Sequence, residues 1–262
     1  MIKILIIGKK SFLGSNLNLY LSKFYEIEML SYEQAIKKKI NFFNKFTHII
    51  NTSIHANYIM KKYNPIFDLD LKFIKKFDKI NFFYIYLNSR KIYFPKENIN
   101  ENSHISPIGN YGKNKYKTEK LLKKKLKKKL VSLRISNVIG KRLKKNSRNN
   151  HKLFFDNFLN YRKNKKKIFV YNDFKDFISI TQFCRIVKQI IKLQIWGTYN
   201  VSISEKIYVA QIVKWLDKRF FEKILFIEKK KDSFTLSNKK LLKKIKIKIN
   251  RNQLQSYCTR LI

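Results

Sequence analysis

The first fourteen residues, MIKILIIGKKSFLG, constrain what this chain can fold into more than any other stretch. The apolar run ending at Gly8 has no polar alternation, as expected of a strand buried on both faces, and such strands belong to parallel sheets covered by helices on either side. After the turn, SNLNLYLSKF reads as a helix. A strand, a tight turn and a helix in that order leave amide N–H groups and a helix N-terminus pointing at one place, where an anion is favoured. Gly8 permits the tight exit from the strand, and Gly14 lets the helix pack closely on the sheet. Ser11 takes the middle position, where a third glycine would let the backbone approach a pyrophosphate.

The rhythm then repeats. A second strand is expected at 26–31 (EIEMLS), followed by a polar helical segment near 32–39 and the apolar run THIINTS at 47–53. The helix DLDLKFIKKF leads into the aromatic strand NFFYIYLNS at 81–89, and a helix starting near Tyr111 leads into VSLRIS at 131–136. Alternating strands and helices imply right-handed crossovers, so the predicted class is α/β, a Rossmann-type doubly wound parallel sheet. After about residue 138 the rhythm loosens: KRLKKNSRNNHK reads as a loop, then come a helix near 152–163, a strand KIFVY, a helix over about 181–193, a strand TYNVS and a helix YVAQIVKWLDK. Without a clean linker, the expected division is a dinucleotide-binding domain over 1–138 and a smaller, interleaved C-terminal substrate lobe over 139–262. About 176–201 is expected to return to the sheet.

Composition invites a different function. The formal charge is +42, from 59 basic and 17 acidic residues, and clustered basic side chains drive non-specific binding to nucleic acid. The distribution argues against a dedicated polyanion site. Only nine of the basic residues are Arg, the residue favoured for base readout and bidentate phosphate clamping, and the lysines are spread through nearly every segment. In TEKLLKKKLKKKL at 118–130, Leu122, Leu126 and Leu130 are expected to form one buried helix face with the lysines on the solvent side. No specific nucleic-acid partner is therefore expected. No apolar run approaches the roughly 18 residues of a membrane span, and the N-terminal run is too short for a signal core, so the expected location is cytoplasmic. Cys184 and Cys258, and His48, His55, His104 and His151, lack metal-ligand spacing, so no metal is expected.

Catalytic chemistry has to be found among abundant residue types. The chain holds five Tyr-x-x-x-Lys pairs, beginning at Tyr58, Tyr111, Tyr116, Tyr161 and Tyr171, where its composition alone would give about three. Only Tyr111/Lys115 follows a strand ending in Ser and opens an amphipathic helix, on which i and i+4 share a face.

The order of motifs around this pair resembles the extended short-chain dehydrogenase/reductases that act on nucleotide sugars. Gly8, Phe12, Leu13 and Gly14 match that family's GxxGF[IL]G turn, and Ser11 departs from it. INTSIHA at 50–56 is similar to the segment after the family's fourth strand, and YLNSRKIYF at 86–94 to its fifth-strand motif with a catalytic Ser or Thr. NYGKNKYKTE resembles YGxSK followed by Glu, LRISNVIG resembles LRxxNVYG, and KDFISI resembles RDFIxV.

The resemblance implies an NAD(P) cofactor held by Gly8, Ser11, Phe12, Leu13, Gly14, Thr52, Ser53, Tyr111 and Lys115, and a catalytic set of Ser89, Tyr111 and Lys115. A free tyrosine ionises near pH 10, and a neighbouring ammonium brings that toward the working range. Asn137 and Lys175 match positions that contact the nucleotide diphosphate, with Lys175 where Arg is usual. Asp176 is expected to be structural. Nucleotide-sugar 4,6-dehydratases carry Asp-Glu after the catalytic Thr, but Arg90 and Lys91 stand there, which disfavours dehydration. A 4-keto-sugar reductase of the dTDP-4-dehydrorhamnose reductase kind and a 4-epimerase both stay open, in surface polysaccharide precursor synthesis. No acid stands at Leu30, Ser31 or Tyr32, although Glu28 and Glu33 flank them, and Lys9 and Lys10 could attract a 2′-phosphate, which favours NADPH. The resemblance also allows a homodimer. The competing readings are a Rossmann dinucleotide-binding or regulatory protein that has lost turnover, and a polyanion-binding protein.

Overall fold

The computed structural model describes residues 1–77, 81–143, 154–164, 168–227 and 232–262. Six parallel strands form the central sheet: β1 (Lys3–Ile7), β2 (Glu26–Leu30), β3 (His48–Asn51), β4 (Phe83–Ser89), β5 (Leu130–Ile135) and, from the far end of the chain, β10 (Gly197–Val201), in the order β10-β5-β4-β3-β1-β2. Successive side chains of a strand point to opposite faces, and each face is covered. Ile4, Ile6, Ile50, Ile85, Val131 and Leu133 pack with Leu17 and Leu21 of α1 (Phe12–Leu21) and Phe183, Ile186 and Ile190 of α7 (Ile180–Leu193). On the other face, Leu5, Ile7, Ile49, Tyr84 and Tyr86 pack with Ala35 of α2 (Tyr32–Lys37), Phe73 and Ile74 of α4 (Leu69–Lys76), and Leu122 and Leu126 of α5 (Asn110–Leu126). The short α3 (Ala56–Met60) lies between β3 and α4 in the chain and packs on α5.

The segments INTS and YLNS end the third and fourth strands of this chain, β3 and β4. Only α2 and a 3-10 turn, Ile40–Lys45, connect β2 to β3, so β2 is the sheet edge. One expectation is corrected here: Leu130 does not continue the helical stripe of Leu122 and Leu126. Helix α5 stops at Leu126, Lys127 takes a left-handed φ of 45°, a 3-10 turn spans Lys127–Lys129, and Leu130 starts β5. A strand-facing leucine and a helix-facing leucine are both buried, and spacing by four residues cannot separate them.

The second half interleaves with this sheet. Strand β6 (Asn137–Ile139) leaves β5 after one residue and pairs in parallel with β9 (Phe177–Ser179). Helix α6 (Phe154–Asn164) precedes β7 (Ile168–Tyr171), which pairs with β12 (Ile224–Ile227), and β8 (Phe174–Lys175) pairs with β11 (Ile207–Tyr208). Helices α8 (Val209–Leu216), α9 (Lys218–Phe221), α10 (Lys239–Ile245) and α11 (Arg251–Thr259) complete this half. Most of KRLKKNSRNNHK, with His151, lies outside the described residues. Register pairs Ser89 with Ile135, so β4 and β5 end at one level, and the chain runs from there into the second half. Crevices beyond the carboxyl ends of parallel strands are where ligands of such sheets bind. Among the described residues, no helix is long and apolar enough to cross a membrane.

Candidate active site

The first turn is braced by hydroxyls. Gly8 has φ +117°, in the region glycine favours, and an added Cβ there would overlap the Thr52 hydroxyl. Ser11 caps α1: its Oγ accepts the Gly14 N–H at 2.8 Å and donates to Thr52 Oγ1 at 2.6 Å, and Thr52 Oγ1 donates to Ile7 O at 2.7 Å. With φ −74° and ψ 149°, residue 11 sits in ordinary extended backbone. Its departure from glycine thus costs no strain and adds a side-chain cap worth about a few tenths of a kcal/mol over glycine. The Ser53 N–H donates to Asn51 Oδ1 at 2.9 Å, which fixes the end of β3 beside the turn. Phe12 is buried and Leu13 is half-buried. A Cβ on Gly140 would stand 3.1 Å from the Phe12 ring, so the LRISNVIG segment rests against the turn.

Helix α5 carries Tyr111 on its first turn and Lys115 one turn later on the same face. Lys115 is 6% exposed, and its Nζ donates to Leu87 O at 2.8 Å, two residues before Ser89 on the same strand. The Tyr86 ring lies 4.6 Å from that ammonium, and the Tyr86 hydroxyl donates to Lys115 O at 3.1 Å. Gly112 explains how the helix comes so close. A Cβ there would overlap the Lys91 carbonyl, so the first turn of α5 rests on the 3-10 turn Arg90–Ile92 that follows Ser89. Ser89 caps that turn by accepting the Lys91 N–H at 3.2 Å, and both Ser89 and Tyr111 remain partly exposed.

Two other motif residues form the support beneath this helix. Arg134 Nη2 contacts Glu119 Oε1 at 2.7 Å and its Nε donates to Glu119 Oε2 at 3.1 Å, while Ser132 and Asn88 also donate to Glu119. Both charged groups are almost fully buried. Spacing had placed Glu119 and Arg134 in motifs. Only the fold makes them partners, because β5 directs Ser132 and Arg134 to the face that α5 covers.

Behind Lys115 lies a pocket that the sequence did not announce. Asp70 Oδ1 accepts from Asn51 Nδ2 at 3.0 Å and from the Tyr84 hydroxyl at 2.6 Å. Asp68 Oδ2 accepts from the Tyr63 hydroxyl at 2.9 Å and from Thr118 Oγ1 at 2.6 Å, and its Oδ1 caps α4 through the Leu71 N–H at 3.0 Å. Thr118 in turn meets the Tyr58 hydroxyl at 2.6 Å. Both aspartates are buried. Burial pushes the Asp70 carboxyl up to about 6, with Lys115 opposing and Asp68 adding to the rise. The scarcity of acids was the available signal: the chain has 17 Asp and Glu, and among the described residues five of them (Asp68, Asp70, Glu119, Asp173 and Asp176) are buried.

The substrate-side residues divide. Asn137 donates its backbone N–H to Asp176 O at 3.3 Å. Asp176 is buried, accepting from the backbone N–H groups of Ile203 at 3.1 Å and Leu236 at 3.0 Å, and burial lifts its carboxyl to about 8 despite those bonds. Lys175 belongs to a charged cluster instead. Its Nζ lies 3.8 Å from Asp173 Oδ2 and 3.7 Å from Asp232 Oδ2. Arg90 grips Asp232 with both arms, Nη1 to Oδ1 at 2.7 Å and Nη2 to Oδ2, and Lys91 Nζ reaches Oδ2 at 2.8 Å. Burial opposes ionisation of Asp232, but Arg90 and Lys91 hold it well below the usual carboxylate range. Arg90 and Lys91, set aside above only because they are not Asp-Glu, are thus joined to Lys175 through an acid 142 residues downstream.

No protein-family model matches this sequence, and no curated protein does. Solved structures do match, over almost the whole chain. A UDP-N-acetylglucosamine 4-epimerase from Methanobrevibacter ruminantium, in complex with UDP-N-acetylmuramic acid, has a TM-score of 0.80 at 15% identity, covering 99% of this chain and 96% of its own. A dTDP-4-dehydrorhamnose reductase from Bacillus anthracis in complex with NADP has 0.79 at 14%, covering 100% and 99%. A dTDP-glucose 4,6-dehydratase from the same organism in complex with NAD has 0.76 at 14%, covering 100% and 96%. The chain has the fold of these nucleotide-sugar enzymes.

A dinucleotide of the kind named with those structures fits the residues that this fold assembles here. Residues 1–25 contain no acidic side chain, and Lys9 and Lys10 stand in the turn. At the other end, Ser136, one residue past β5, has a buried Oγ with no partner among the described residues. A bound group with a polar edge would satisfy it, since an unpaired buried hydroxyl costs about 1–3 kcal/mol. Among the described residues, no group of His, Cys, Asp and Glu is arranged to hold a metal ion.

Proposed function

We propose that this chain is an NAD(P)-dependent nucleotide-sugar oxidoreductase of the extended short-chain dehydrogenase/reductase family, a 4-keto-sugar reductase or a 4-epimerase in surface polysaccharide precursor synthesis. One observation carries the reading: Lys115 is buried with its ammonium on the strand that ends in Ser89, and Tyr111 stands one turn earlier on the same helix. Lys115 offsets the buried carboxyl of Asp70, and its place at a strand's carboxyl end, one turn from a partly exposed tyrosine, also suits acid–base chemistry.

When bound, the nicotinamide supplies or takes up a hydride at the substrate carbon. Ser89 would donate its hydroxyl to the oxygen on that carbon and hold it facing Tyr111. Tyr111 would give that oxygen a proton in reduction and remove one in oxidation. Lys115 stabilises the phenolate by its charge. An ammonium has three N–H donors and one rests on Leu87 O, so two remain for the nicotinamide ribose. Lys175, with Arg90 and Lys91 beside it, would receive the diphosphate, and Asn137 would add a neutral contact. The NADP form is favoured at the end of β2. The Ser31 hydroxyl is committed to capping α2 through the Gln34 N–H at 3.2 Å, and Glu28 is paired with Lys45 at 2.7 Å.

The test is nicotinamide fluorescence with candidate nucleotide sugars, for the wild type and Tyr111→Phe. The expected result is turnover lost by at least about a hundredfold in the variant, with dinucleotide affinity kept. Net consumption of NADPH identifies the reductase, and sugar inversion without net consumption identifies the epimerase. Dinucleotide binding without turnover in the wild type would favour the lapsed binding protein.

A further inference from the structure

We propose that the edge of the central sheet formed by the amino ends of its strands docks on an anionic lipid surface. The inference is independent of the reaction proposed above. Because the six strands are parallel, the segments that lead into them share one edge, and Ser89 lies at the other. Lys127–Lys129 lead into β5, Leu193–Trp196 into β10, and Lys23–Tyr25 into β2. Three large apolar side chains stand in water along this edge: Phe24 is 47% exposed, Leu193 49% and Trp196 53%. Lysines stand between them. The Lys188 ammonium lies 3.3 Å from the centre of the Phe24 ring, and the Tyr25 hydroxyl donates to Lys188 O at 3.3 Å, so the turn before β2 is joined to α7. Lys192 is one turn further along the same face of α7, beside Leu193. Lys128 Nζ lies 5.8 Å from the centre of the Trp196 ring, which joins the exit of α7 to the turn before β5. The acid next to these segments, Glu26, is paired with Lys3. Five strand spacings separate β2 from β10, so the band is about 24 Å long.

Two properties of the band select a lipid surface over a nucleic acid. Its cations are all lysines, which lack the fork that clamps a phosphate and reads a base, but whose long stems can lie along an acyl boundary with the ammonium among headgroups. The side chains between them are those that enter such a boundary. A Trp ring has an apolar body and a polar N–H and settles at headgroup level, with Phe and Leu reaching below it, while clustered lysines are drawn to anionic headgroups. The orientation also suits a working enzyme. Strand β4, seven residues long, holds Ser89 roughly 20 Å from this edge, so a bilayer beneath the edge leaves the mouth of the crevice open to solvent.

The experiment mixes the full chain with phosphatidylcholine vesicles, with and without phosphatidylglycerol, at physiological ionic strength. Trp215→Phe removes the other tryptophan of the chain, so the emission reports Trp196 alone. The expected results are co-sedimentation with the anionic vesicles only, a blue shift of the Trp196 emission on binding, and its quenching by brominated acyl chains. Each lysine near such a surface contributes about fivefold, so the triple variant Lys127→Gln, Lys128→Gln, Lys129→Gln should bind about a hundredfold more weakly. The same change at Lys61, Lys62 and Lys96, which follow the carboxyl ends of β3 and β4, should weaken binding by about twofold or less. Trp196→Ser keeps every charge and should weaken it several-fold. Equal weakening by the two triple variants would reduce the attraction to net charge and overturn the inference. So would a failure to sediment with anionic vesicles, or a Trp196 emission that does not move when the protein sediments. An emission shift with single-stranded RNA but not with vesicles would assign the face to nucleic acid and overturn it too. If Trp215→Phe does not fold, sedimentation of Trp196→Ser beside the wild type decides, and undiminished binding overturns the inference.

Discussion

Two clusters of acid and base flank the Ser89 turn, and they are unbalanced in opposite directions. Among the described residues, two buried carboxylates, Asp68 and Asp70, lie behind Lys115, the cation that opposes the rise of Asp70. At the mouth the described residues place three cations, Arg90, Lys91 and Lys175, beside Asp232, with Asp173 next to Lys175. The acid-rich pocket lifts Asp70 to about 6, after burial and against the pull of Lys115, while the base-rich mouth holds Asp232 below the ordinary range. One cluster is therefore arranged to take up a proton, and the other to attract an anion. Net charge of +42 says nothing about this division. What matters is which of the few acids are buried beside which bases.

The largest effect should come from removing Lys115, the cation that opposes the rise of Asp70. Lys115→Met leaves Asp70 buried with its hydrogen bonds but without that cation, which should cost on the order of 3 kcal/mol of stability at pH 8 besides abolishing turnover. The cost should shrink at pH 5. The carboxyl of Asp70 is raised in the folded state, so between about pH 4 and 6 folding takes up a proton, and stability falls as pH rises through that window. Without Lys115 the carboxyl rises further and the slope steepens. Denaturant unfolding at the two pH values measures this, and equal losses at both would remove the imbalance from the account.

Arg90→Met is the matching change at the mouth, and a smaller one is expected. Asp232 keeps Lys91 and Lys175 and is 23% exposed, so about 1–2 kcal/mol should be lost after discounting for solvent. The pH dependence should have the opposite character. A depressed carboxyl contributes stability that is fully present above its unfolded value near pH 4 and is lost only at lower pH. The cost of Arg90→Met should then be the same at pH 5 and pH 8. A loss that changes between them would mean that the two clusters are not distinct.

Sequence showed one cluster's site and hid the other's partners, for a physical reason. The glycine turn, the alternation of strands and helices up to about residue 138 and the pair Tyr111/Lys115 are local patterns, and periodicity or short spacing exposes them. Asp70 lies 45 residues before Lys115, and Asp232 lies 142 after Arg90, so neither is brought near its cation until the chain has crossed the sheet. Leu130 was misplaced by the same limitation, because a four-residue spacing fits helix and strand alike where burial is complete. The fold is shared with the solved structures at only 14–15% identity.

The smallest stability effect should come from Lys91→Met, and it separates the two roles a mouth cation can have. The Lys91 side chain is 50% exposed, and its bond to Asp232 duplicates one that Arg90 already makes from below. Exposed ion pairs contribute about 0–1 kcal/mol, so the melting midpoint should barely move. Anion attraction does not need a tight pair. With Lys91 gone, the cluster loses one of the three cations that the described residues place beside Asp232. A dianionic diphosphate should then bind several-fold more weakly, read as a raised KM for the sugar nucleotide that becomes smaller in high salt, with kcat unchanged. A lowered kcat instead would place Lys91 at the reacting carbon beside Ser89, and the mouth would have to be counted with the catalytic residues.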